Sequence, residues 1–123
     1  MPSAINWFEI PVTDFERAKK FYEVILDTEL FQIEAMGMLC GFFPADVQNG
    51  SIGGSIIKGE GYVPSTEGTV VYLNAGEDLA VPLSKVEAAG GIILLPKTAI
   101  GPNGFMAHFA DTEGNKVGLH SMK

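Results

Sequence analysis

Asp14 and Glu77, each able to cap a helix, stand 63 positions apart, and the residues just past the two helix candidates, Asp27 and Gly90, are separated by the same 63. A period this long in a chain of 123 residues means two copies of one supersecondary unit rather than a solenoid. The chain therefore reads as a duplication, with a strand–helix–strand–strand–strand unit occurring twice.

The first copy opens with a strand candidate, Ile5–Val12, rich in β-branched and aromatic residues. Thr13 and Asp14 follow, and either side-chain oxygen can accept an orphan N–H of a first helical turn. From Phe15 to Leu26 the apolar residues Ala18, Phe21, Tyr22, Ile25 and Leu26 recur at helical spacing, with Glu16, Arg17, Lys19, Lys20 and Glu23 on the other face. Three strand candidates come next, Glu29–Glu34, Met38–Phe43 and Ser51–Ile57, with turns at Met36–Gly37 and Pro44–Gly50. The second copy repeats the order. Thr69–Asn74 is a strand, and Glu77–Asp78 caps a helix over Leu79–Ala89 in which Pro82 is tolerated because it falls in the first turn. Gly90–Gly91 ends that helix, and Ile92–Leu95, Phe105–Ala110 and Lys116–His120 are strands. Asp111–Asn115 reads as a hairpin loop with Gly114 at a positive φ.

The expected fold is thus α+β: one domain over residues 1–123, with a βαβββ unit at about 4–57 and a second at about 69–121. Residues 58–68, carrying Gly59, Gly61, Pro64 and Gly68, form either a linker or a flap over a site.

Composition narrows the function. Hydrophobic residues make up 46% of the chain and charged residues 19%, so it can bury a core, yet no apolar run approaches the ~20 residues that span a bilayer. No membrane partner is expected. Met1–Asn6 lacks the basic and apolar segments of a secretory signal, and the single cysteine, Cys40, excludes an internal disulfide, so the expected location is cytoplasmic. One cysteine and two histidines also exclude a cysteine-rich zinc cluster. The net charge of −7 leaves no basic stripe for a phosphate backbone, which argues against nucleic acid. Such a surface serves solubility or draws a cationic ligand.

The duplicated unit, with Val12–Thr13–Asp14 leading to Ala18–Lys19–Lys20–Phe21–Tyr22, resembles the vicinal-oxygen-chelate superfamily of glyoxalase I, bleomycin-resistance proteins, fosfomycin-resistance enzymes and extradiol dioxygenases. Glu87–Gly91 and Asp111–Asn115 add to the likeness, and Gly101–Phe105 with Gly118–Ser121 looks like bacterial proteins related to lactoylglutathione lyase. The resemblance implies a curved mixed sheet around a concave cavity with the helices outside. It also implies four positions for divalent-metal ligands, normally His, Gln or Glu. Here they fall on Trp7, on one of Ile52–Ser55 (where Ser51 or Ser55 offers an oxygen), on Val70 or Val71, and on Gly118. Indole, isopropyl and hydrogen present no lone pair to a cation, so neither a metal nor another cofactor is expected.

Strand alternation then populates the cavity face. If Trp7 points inward so does Glu9, with Phe8 and Ile10 behind; if Val70 is inward so are Tyr72 and Asn74; if Gly118 is inward so are Lys116 and His120. The candidate ligand-binding residues are Trp7, Glu9, Tyr72, Asn74 and His120, while His108 reads as a structural histidine and Cys40 as a buried, inert thiol. The leading expectation is a metal-free protein that binds, and by resemblance sequesters, a small or cationic molecule, as a homodimer. Two alternatives stay open: a glyoxalase-like lyase or isomerase using Glu9 and His120 as acid and base or as unusual metal ligands, and an interaction module with a vestigial pocket.

Overall fold

The computed structural model describes residues 4–123, so Met1–Ser3, part of the segment read for a secretory signal, lie outside the described residues. The first unit comprises β1 (Trp7–Pro11), α1 (Phe15–Leu26), β2 (Phe31–Ala35), β3 (Met38–Phe42) and β4 (Gly53–Lys58). The second comprises β5 (Val71–Asn74), α2 (Ala80–Leu83), β6 (Ile92–Ala99), β7 (Phe105–Ala110) and β8 (Lys116–Ser121). The βαβββ order appears twice, as the repeat requires. Each unit forms its own four-stranded mixed sheet, ordered β1-β4-β3-β2 and β5-β8-β7-β6. The first strand of each pairs in parallel with the last, and the other pairings are antiparallel. The mixed sheet implied by the resemblance is therefore two sheets, one per unit, with β1 and β5 each at an edge.

Helix α1 has the bounds its apolar stripe predicts. Asp14 accepts a hydrogen bond from Arg17 N, and Asp27 ends the helix in the left-handed conformation. The second helix is shorter than its pattern predicts. Only Ala80–Leu83 is α-helical, and beyond it Lys85 N bonds to Pro82 O and Val86 N to Leu83 O, the tighter spacing of a 3₁₀ turn. Leu79, Leu83 and Val86 are still buried at helical spacing, so the apolar stripe is real although the regular helix is not. Of the two expected caps Asp78 acts, its Oδ1 accepting from Ala80 N at 2.9 Å. Strand β6 runs on through Pro96 to Ala99, four residues beyond its expected end; it is an edge strand whose register shifts absorb the missing N–H.

A single core joins the two units. Ile10, Phe15, Phe21, Tyr22, Ile25 and Ile56 of the first pack with Leu73, Leu79, Phe109, Val117 and Leu119 of the second. The β7–β8 loop ties them together with polar groups. Buried Asp111 accepts from Tyr22 Oη at 2.6 Å, and Asn115 Nδ2 donates to Pro11 O at 2.7 Å. Glu113 accepts from Thr13 N, Asp14 N and Arg17 Nε at the start of α1. Ser65 donates its N–H to Asn115 Oδ1, and its carbonyl accepts from Lys116 N, so the segment between the units is tethered to the second hairpin.

Candidate ligand-binding site

With Ile10, Leu73, Val117 and Leu119 in the core, alternation turns the opposite faces of these strands outward. Trp7 and Glu9 on β1, and Tyr72 and Asn74 on β5, are exposed, with Trp7 at 43% and Tyr72 at 46%. All four line an open cleft of about 1490 Å³ that runs along the two edge strands. The C-terminal end of α1 and the 58–68 segment contribute to its walls through Asp27 and Glu67. Glu9, Asp27, Glu67, Glu77 and Asp78 face this cleft against Lys85 as its single basic residue among the described residues, so its potential is negative.

His120 stands opposite Asn74 on the neighbouring strand but does not line the main cleft. It borders a smaller adjoining pocket that shares Tyr72, Leu73, Asn74 and Gly76 with the cleft, and its Nε2 is 2.7 Å from Asn103 O. A carbonyl only accepts, so Nε2 carries the proton of that bond. Asn74 is partly engaged as well, its Oδ1 accepting from Gly76 N at 3.0 Å, which leaves its amide N–H groups for a ligand.

Glycines decide where the two large rings rest. Tyr72 pairs with Gly118, and a Cβ built on Gly118 would sit 2.4 Å from the Tyr72 ring, so the ring lies over the glycine backbone. The phenol then reaches His108 Nε2 at 2.6 Å. Burial, and then the charge of Lys116, hold the His108 pKa below the ordinary imidazole value, favouring a neutral ring whose Nε2 accepts the hydrogen bond that Tyr72 Oη donates. His108, expected to be structural, is thus part of a phenol–imidazole pair on the cavity face. In the first unit Trp7 pairs with Gly53, where a Cβ would lie 3.0 Å from the indole. Cys40 is half-buried, and its thiol pKa is raised, first by burial and then by the Glu9 carboxylate, consistent with an inert thiol.

The metal positions implied by the resemblance can be tested directly. Trp7, Val70 and Val71 line the cleft with indole and isopropyl groups that offer no lone pair, while Ser55 is 1% exposed and it and the exposed Ser51 each offer a lone hydroxyl. At Gly118 the space a ligating side chain would need is filled by the Tyr72 ring. Among the described residues no three His, Cys, Asp or Glu side chains gather at one point. The residues present do not fit a divalent-metal centre of the superfamily's type.

A duplicated βαβββ fold with an open cleft along its two edge strands defines a class of small-molecule sites rather than one reaction. Residues 4–119 match the model of the Glyoxalase/Bleomycin resistance protein/Dioxygenase superfamily, and the chain belongs to that superfamily. A glyoxylase-like domain-containing protein from Didymella fabae is 36% identical over 118 residues, covering 90% of this chain and 88% of that one. A glyoxalase/bleomycin resistance protein from Streptomyces sp. CB03234 superposes with a TM-score of 0.70 at 22% identity, covering 95% of this chain and 100% of its own. The fosfomycin resistance protein FosX from Listeria monocytogenes superposes with a TM-score of 0.66 at 15% identity, covering 98% and 92%. At such identities the two structures speak for the fold alone.

Proposed function

We propose that this protein binds a small organic molecule in the cleft along β1 and β5 without a metal ion, and that it acts by sequestration. The observation that carries the reading is the pairing of Tyr72 with Gly118: an aromatic ring stands where the superfamily's metalloenzymes need a ligating side chain. The apolar walls of Trp7 and Tyr72, with Glu9 and Asn74 between polar and apolar surface, are what an organic ligand requires. A homodimer belongs to this reading, because the open cleft lies along two edge strands that a second copy can cover. Its single cysteine suits a reducing cytoplasm.

Native mass spectrometry of protein purified without denaturant tests both parts. Twice the chain mass with a retained organic ligand supports the reading, and one transition-metal ion per chain in place of that ligand overturns it.

A lyase or isomerase is the second reading, and the 2.6 Å Tyr72–His108 hydrogen bond is what favours it. A neutral imidazole bonded to a phenol can relay a proton next to a carbonyl. Turnover of α-ketoaldehyde thiol adducts that disappears in His108→Gln would establish this reading over sequestration.

A further inference from the structure

The first sheet carries a second constellation on the same outward face. Register places Trp7 opposite Gly53, Glu9 opposite Ser55, and Ser55 in turn opposite Phe42. The indole lies across Gly53, and its centroid is 5.6 Å from that of Phe42 with the ring planes at 80°, so the two rings form the walls of a corner. Phe31 extends one wall, stacked 6.4 Å from Phe42 and 67% exposed. Glu9 stands two residues along β1 from Trp7, and among the described residues it has no ion-pair partner. Tyr62 flanks it, its phenol pKa raised chiefly by the Glu9 charge. Beneath, Ser55 Oγ is buried and has no hydrogen-bond partner.

We infer that this corner holds an alkylated ammonium group, with Glu9 as the counter-charge and Trp7 and Phe42 as the walls. The inference deepens the proposed function and rests on it, naming the chemical class of the group held where Trp7 and Glu9 border the cleft. Ring faces carry negative potential and attract a cation whose hydration is weak, which describes an alkylated ammonium better than a metal ion. A neutral apolar ligand would leave the Glu9 carboxylate uncompensated, and an anion would meet repulsion from Glu9 and from the acidic cleft that Trp7 and Glu9 also line.

Trp7 is the single tryptophan of the chain, so its fluorescence reports on this corner without labelling. The experiment titrates the protein at constant ionic strength with choline, tetramethylammonium and dimethylbutanol, the neutral carbon isostere of choline. Saturable changes in emission are expected for both cations, with the isostere weaker by roughly tenfold or more. Glu9→Gln should weaken both cations by roughly tenfold at an unchanged melting temperature, and Phe42→Leu should weaken them as well. Equal binding of the isostere, no response to either cation, or full binding by both variants overturns the inference. A parallel thermal-shift titration with naphthol and anilinonaphthalene sulfonate separates the two levels. If these neutral and anionic probes bind while the cations do not, the ammonium assignment falls and the cleft remains a small-molecule site; if nothing binds, both fall.

Discussion

Replacing Glu113 by Gln should uncouple the two units in a way that depends on pH. The Glu113 side chain is fully enclosed by the junction of the β7–β8 loop with the start of α1. Oε1 accepts from Thr13 N at 2.9 Å, Thr13 Oγ1 at 3.0 Å and Asp14 N at 2.7 Å, and Oε2 accepts from Arg17 Nε at 2.7 Å and Thr112 Oγ1 at 3.0 Å. Burial pushes its pKa up, but the Arg17 hydrogen bond and the N–H groups of Asp14 and Thr13, with Thr112, outweigh that and lower it from 4.5 to about 2. Carrying a carboxyl from 4.5 to about 2 corresponds to about 3 kcal/mol of stability. Arg17 is 52% exposed, and screening of its share leaves about 2 kcal/mol. Because the folded pKa is depressed, this stability is present above pH 4.5 and is lost as pH falls through about 2. Urea unfolding of the parent and Glu113→Gln at pH 7 should differ by about 2 kcal/mol, and the difference should shrink steadily between pH 4.5 and 2. A gap that stays constant over that window would show that Glu113 acts through packing rather than charge, and would refute the reasoning.

Tyr22→Phe removes a buried donor from Asp111 Oδ2 and leaves Asn115 Nδ2 as that oxygen's remaining partner, so denaturation should show a loss of about 2 kcal/mol. Gly118→Ala should cost about 1–3 kcal/mol by the same assay, since the new methyl carbon must displace the Tyr72 ring. Lys116→Met should raise the His108 pKa in a proton NMR titration but leave it below the ordinary imidazole value, because burial is the larger cause of its depression. Light scattering should give twice the chain mass at micromolar concentration, and a monomer would remove the dimer from the account.

Much of this architecture was legible because local and global signals agree. The α1 stripe and the Asp14 cap mark the same helix, and Asp27, just past it, is where the structure ends it in the left-handed conformation. Alternation from Trp7, Val70 and Gly118 set Trp7 with Glu9 and Tyr72 with Asn74 on one side of their strands, because the core residues between them leave each strand one way to lie. The second helix was over-read: an apolar stripe reports burial, and Leu79, Leu83 and Val86 are buried whether the backbone closes α-helical or tighter turns. His108 was read as structural, and its place beside Tyr72 can be found by counting. The Asp111–Asn115 loop sets Ala110 opposite Lys116 and therefore His108 opposite Gly118, on the cavity face. Phe42 escaped for a different reason, since its place beside Trp7 depends on the pairing of β3 with β4 across a long connection that sequence alone does not register.

The central proposal is that the aromatic, acidic cleft binds its ligand without a metal ion. Isothermal titration of chelator-treated protein with nickel, zinc and cobalt tests it most directly. The account predicts weak, non-stoichiometric heats that Glu9→Gln and His120→Ala leave unchanged. One tight ion per chain, lost in either variant, would contradict it.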